Sequence, residues 1–128
     1  MNRELEDKLK ADFPKIFVHL RDGESREPIR FFGFECGDGW YDLIHNLCDS
    51  ITEVGFPEGF MAMQVKEKFG SLRFYCCNST PEINALIDKA EEASYHICES
   101  CGAQENVTCE GRPHWVKALC EECAKVTT

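Results

Sequence analysis

Two hydrophobic periods divide the chain. Trp40, Ile44, Leu47, Ile51 and Val54 recur at spacings of three and four, which places them on one face of a helix. Asp38 precedes the run as a candidate N-cap, and Gly55 follows it as a residue suited to the helix end. The pattern predicts a helix over 39–54, entered from the loop Glu35-Cys36-Gly37-Asp38-Gly39-Trp40. Between Met61 and Cys77 the period becomes two. Met63, Val65, Phe69, Leu72, Phe74 and Cys76 share one face with a single charge, Glu67. Gln64, Lys66, Lys68, Arg73 and Tyr75 share the other. Such alternation predicts a half-buried antiparallel hairpin. Gly70-Ser71, with Gly at the first central position, suits a type II′ turn and pairs Lys68 with Arg73, Lys66 with Tyr75 and Gln64 with Cys77.

Ser79-Thr80-Pro81-Glu82 reads as a second helix start, with Ser79 and Glu82 as a capping box and proline tolerated in the first turn. Ile83, Leu86, Ile87, Ala90, Ala93 and Ile97 supply its apolar stripe. A short helix over 2–11, with Leu5 and Leu9 on one face, is expected to end at Phe13-Pro14. Residues 21–30 are charged and turn-rich, which predicts a surface loop.

The second helix leads into a cysteine cluster. Cys98-x2-Cys101 and Cys120-x2-Cys123 are separated by 18 residues. A CxxC turn holds two thiolates close enough to share one metal ion, and two such turns complete a tetrahedral zinc site. Gly102 follows the first pair as in a zinc knuckle. Residues 106–119 can form a hairpin about Gly111-Arg112-Pro113, and Leu119 to Lys125 reads as the start of a short helix. Knuckle, hairpin and helix in that order predict a treble-clef-like module holding one structural Zn²⁺ on Cys98, Cys101, Cys120 and Cys123. A ligand set drawing on Cys109 or His114 is the alternative. Cys76-Cys77 is expected to place one thiol inward and one outward on its strand. The expected fold is α+β: two main helices on a small antiparallel hairpin or sheet over 1–97, and the zinc module over 98–128.

Composition narrows the function classes. The chain has 128 residues, 43% of them hydrophobic, enough for a modest core. It contains nine cysteines, an odd number, and its N-terminal residues are charged with no apolar run; reduced thiols and metal are therefore expected rather than a disulfide framework. No stretch is apolar enough to span a membrane. The net charge is −9; of the segments 1–55, 56–78, 79–97 and 98–128, only 56–78 is net positive, at +1. Duplex DNA binding requires clustered cations, so none is expected. Four thiolates on one Zn²⁺ add about −2 more.

Glu35-Cys36-Gly37-Asp38-Gly39-Trp40, Val65-Lys66-Glu67-Lys68-Phe69-Gly70-Ser71-Leu72-Arg73-Phe74-Tyr75 and Cys98-Glu99-Ser100-Cys101-Gly102 together resemble a family of small phage and prophage proteins. The resemblance runs in order through most of residues 12–123. Many of those relatives carry Cys-x-x-His as the second metal pair, where this chain has Cys123. The resemblance implies an accessory protein of a phage or mobile element acting in the bacterial cytoplasm; it implies no activity and no catalytic residue.

Within the chain, Lys66, Lys68, Arg73 and Tyr75 form the candidate partner or ligand surface. The competing reading is internal pairing of Lys68 and Arg73 with Asp38, Asp42 or Glu35. Trp40 is either core or a partner contact. His45 and Cys48 lie three apart on a helix, but no third residue to orient them is identifiable, so no catalytic dyad is assigned. The expected function is non-enzymatic: binding and modulating a host protein of defence or nucleic-acid metabolism. The first alternative is sequestration of a small anionic nucleotide signal; the second is a zinc-dependent nucleic-acid contact.

Overall fold

The computed structural model describes residues 1–18, 33–109, 111–112 and 115–126. In chain order these form α1 (Arg3–Asp12), β1 (Phe34–Glu35), α2 (Tyr41–Val54), β2 (Met61–Lys68), β3 (Ser71–Cys77), α3 (Pro81–Ser94), β4 (Val107–Thr108), β5 (Gly111–Arg112), β6 (Trp115–Val116), β7 (Leu119–Cys120) and α4 (Glu121–Val126). The protein is α+β. The expected loop over 21–30 lies outside the described residues.

A 3-10 turn, Asp38–Trp40, feeds directly into α2. Ile44, Leu47 and Ile51 are buried as their spacing requires. Cys48 joins them, and Val54 in the final turn is half exposed. Gly55 ends the helix at φ +86, a backbone geometry glycine adopts without strain, and its N–H donates to Ile51 O at 3.0 Å. Asp38 does not cap α2. Its two carboxylate oxygens accept instead from the backbone and side-chain N–H groups of Asn2, at 2.6 and 3.1 Å. Asn2 in turn accepts from Leu5 N–H and caps α1. Two donors from one residue outcompete a single helix N–H, so Asp38 joins α1 to the entrance of α2. At α3 the cap is Thr80, whose hydroxyl accepts from Ile83 N–H at 3.2 Å with Pro81 next. Ser79 hydrogen-bonds to the Asn84 side chain instead, so no capping box forms.

The hairpin is present in a different register. Lys68 pairs with Ser71, Lys66 with Arg73 and Gln64 with Tyr75. Phe69 and Gly70 are therefore the central turn residues, both with positive φ (+53 and +86), the type I′ pattern rather than type II′. Glu67, the one charge on the apolar face, accounts for the difference: its carboxylate accepts from Gly70 N–H at 2.9 Å and stabilises the tighter turn. Phe69 is consequently at the tip, outside the core. A bulge between Ala62 and Gln64 shifts the alternation, so Ala62 is fully buried while Met63 is not. Cys76 and Cys77 are both half-buried, neither fully inward nor outward.

A third strand extends the sheet. β1, expected as loop, pairs in parallel with β2, Phe34 opposite Val65 and Glu35 opposite Lys66. Phe34, Val65, Leu72 and Phe74 line the buried face, and Phe17 packs edge-on against Phe34 and Phe74. α3 packs against α2 and alongside β3. Leu72 N–H donates to Ser94 Oγ at 2.8 Å, so the helix satisfies a strand-edge donor that would otherwise be open to further pairing.

The segment from Cys98 onward joins this core through Ala118. Ala118 is fully buried in the same cluster as the α2 and α3 residues, with Val107 and Cys109 packed against it. β4 pairs with β7, β5 with β6, and α4 follows immediately, which is the expected order of knuckle, hairpin and helix.

Candidate metal centre and the outward sheet face

The chain leaves α3 through Ile97 and turns at Cys98. Cys98 N–H donates to Ala103 O at 2.8 Å, and Gly102 N–H returns to Cys98 O at 2.9 Å. This knuckle points Cys98 and Cys101 the same way. Cys120 ends β7 and Cys123 sits in the first turn of α4, its N–H directed at Cys120 Sγ at 3.5 Å. The four sulfurs lie within 4.8 Å of one another, and Cys101 and Cys120 approach to 3.7 Å. A tetrahedron with metal–sulfur bonds of about 2.3 Å has edges of about 3.8 Å, so the donor set fits one metal ion. All nine cysteines are unpaired. Burial acts to raise the Cys98 thiol pKa, but N–H groups of Cys120, Cys101 and Ser100 directed at its sulfur outweigh that and bring it down to about 7. Cys109 is no ligand: its thiol donates to Tyr95 O at 3.4 Å, away from the four sulfurs. His114 lies outside the described residues.

The knuckle is clasped from outside by the Gly37-Asp38-Gly39 turn. Gly39 N–H donates to Glu99 O, and Gly37 N–H to Glu99 Oε2, both at 2.8 Å. Glu99 N–H reaches Ala118 O at 2.8 Å. The approach permits no side chain: a Cβ on Gly39 would lie 2.2 Å from Cys98 O, and one on Gly37 2.3 Å from Glu99 O. Trp40 completes the clasp, its indole N–H donating to Ile97 O at 2.9 Å. At 0% exposure Trp40 is core, which corrects its placement among the partner-contacting residues. In the sequence these glycines show only as a loop before α2; the close backbone approach that requires them comes from the distant segment 98–102.

Lys66, Lys68, Arg73 and Tyr75 do emerge on one face. Arg73 is held from α3, its guanidinium Nη1 lying 3.3 Å from Glu91 Oε2. Asp38, Asp42 and Glu35, the acids expected to pair with this face, make no ion pair with Arg73 or Lys68 among the described residues. Neither Lys66 nor Lys68 makes an ion pair within the described residues. Tyr75 is 45% exposed. Arg73 Nε is buried without a hydrogen-bond partner among the described residues. The residue missed from this surface is Phe69, assigned to the core by alternation and found at the turn.

His45 engages carboxylates, Asp12 at 3.1 Å and Asp49 at 3.3 Å, while Cys48 is fully buried with its thiol pKa raised by burial. The two do not form a nucleophile pair. No helix among the described residues is long and apolar enough to cross a membrane. No family model, curated protein or solved structure matches the chain.

Proposed function

We propose that the protein is a non-enzymatic binding module with one structural Zn²⁺, acting on another protein through the outward face of its sheet. Four thiolates leave no open coordination position for substrate, so the metal's part is to hold the fold. The observation that carries the reading is the placement of Lys66, Lys68 and Tyr75: two lysines without an internal ion pair among the described residues, beside an exposed tyrosine, on a chain of net charge −9. Arg and Tyr are favoured interface anchors, and a basic island selects an acidic counterpart. The resemblance to phage and prophage proteins supplies the setting: a mobile-element accessory protein in the bacterial cytoplasm, modulating a host factor of defence or nucleic-acid metabolism. Two of the three segments that carry that resemblance meet where the Gly-Asp-Gly turn clasps the knuckle, and Gly70 of the third, the hairpin turn, lies near Val116 and Cys109.

The test is co-purification with host proteins in the wild type and in Lys66→Glu, Lys68→Glu and Tyr75→Ala variants of unchanged melting temperature. Loss of one specific partner in the variants supports the reading; retention in all three contradicts it. A second reading, capture of a small anionic nucleotide on the face of Lys66, Lys68 and Tyr75, would show in native mass spectrometry as a retained ligand. A zinc-dependent nucleic-acid contact ranks below both, because a chain of this charge gains little from counterion release.

A further inference from the structure

Phe69 occupies a position at which the fold gives an aromatic ring nothing to do. It is 70% exposed, and its backbone sits at φ +53, in the left-handed region that a bulky side chain rarely adopts. The first central position of a type I′ turn is the usual place of Asn, Asp or Gly. Among the described residues, Lys68 Nζ lies over the ring at 5.8 Å from the centroid. The strain is held in place from below. Glu67 accepts from Gly70 N–H at 2.9 Å, and Ser71 Oγ donates to Lys68 O at 3.4 Å. Gly70 fits so closely to the zinc module that an added Cβ would lie 3.0 Å from Val116 Cγ1. An exposed aromatic on a braced turn loses little conformational freedom on binding, which is the property of an interface anchor.

We propose that Phe69 is the anchor of the partner interface, inserting into an apolar pocket rimmed by carboxylates on another protein, with Lys68 and Lys66 matching the rim. This inference rests on the reading of the outward sheet face as a partner surface. Charge argues for a protein partner: the hairpin strands carry Lys66, Lys68 and Arg73 against Glu67 on a −9 chain, so an anionic lipid surface or nucleic-acid backbone would meet repulsion from the rest of the molecule, whereas a local acidic pocket would not.

The experiment selects from a displayed library of random twelve-residue peptides on the zinc-loaded wild type, then compares one enriched peptide across Phe69→Asn, Lys68→Glu and Tyr75→Ala. Asn tolerates the left-handed backbone, so Phe69→Asn is expected to melt at or above the wild-type temperature while binding the peptide at least about tenfold more weakly. Enriched peptides are expected to combine Asp or Glu with Leu, Phe or Trp. A Phe69→Asn protein that melts several degrees lower shows the ring to be structural and overturns the proposal, as does unchanged peptide affinity. If Lys68→Glu and Tyr75→Ala lose the peptide while Phe69→Asn keeps it, the partner face stands and the Phe69 anchor falls. If no such peptides enrich, or all three variants bind as the wild type does, both fall. Phe69-dependent binding to phosphatidylserine vesicles or to an oligothymidylate, in place of peptides, overturns the assignment to a protein partner.

Discussion

Single residues carry more of this fold than their exposure suggests, and glycine carries the most. Gly39 is chosen by the 2.2 Å at which a Cβ would meet Cys98 O. Gly39→Ala is expected to cost about 1–3 kcal/mol, the range of overpacked sites that must shift backbone, and to weaken metal retention because the displaced carbonyl belongs to a candidate ligand, Cys98. Urea denaturation with a zinc assay on the same sample checks both; an alanine variant of wild-type stability would contradict the clasp. Arg73 is the opposite case. Its pairing with Glu91 is half-exposed, so Arg73→Ala should lower stability by only about 1 kcal/mol, whereas Lys68→Glu should leave the melting temperature unchanged. Trp40 was open between core and surface in the sequence because an indole on a helix stripe fits either role. What decided it was a carbonyl 57 positions away, Ile97 O, which no local pattern reveals.

At the scale of elements, long periodic runs were legible and short or interrupted ones were not. The stripes of α2 and α3 are several turns long, so their apolar spacing outweighed any single misplaced residue. β1 has two residues and cannot show a period. The bulge at Met63 breaks the alternation by one, and sequence alone does not place such an insertion. The hairpin register failed at one point, the turn: Gly70 was read as the first central residue, while a side-chain bond from Glu67 makes it the second. Because the error was two positions on one strand, Val65, Leu72 and Phe74 kept their buried face while their pairings changed, and Phe69 passed from that face to the turn. Caps were misassigned by one residue at α3. Thr80→Ala should therefore cost about 1 kcal/mol and Ser79→Ala distinctly less, measured by thermal denaturation; the reverse order would restore the capping box.

For the whole molecule, the segment from Cys98 onward, expected as a module packed on residues 1–97, is tied to them at several points. Ala118 belongs to the common core, the Gly-Asp-Gly turn clasps the knuckle, and the hairpin turn rests on Val116. Structural zinc contributes directly to folding free energy, so chelation under reducing conditions should release the Gly39 amide to hydrogen exchange together with the amides of residues 98–120. Loss of protection confined to 98–126 would show two independent units. The buried thiols predict a pH response. Burial raises Cys36 from 9.0 to about 12 and raises Cys48 as well. The folded state thus keeps protons that the unfolded chain releases near pH 9. That stability is full below about pH 9 and declines as pH rises toward 12. A Cys36→Ala/Cys48→Ala variant should show a flatter alkaline decline in chemical denaturation, and a slope equal to wild type would contradict the burial.

The cysteine spacing was the most legible feature of the chain, since two CxxC turns encode their geometry locally and need only the hairpin to bring them together. It is also what the account depends on most. X-ray absorption at the zinc edge of the purified protein measures the site directly. The account predicts one zinc per chain with four sulfur neighbours at about 2.3 Å and no nitrogen or oxygen in the coordination shell. Three sulfurs and a nitrogen, as a histidine ligand would give, or a protein purified without chelator that holds no zinc, would contradict it.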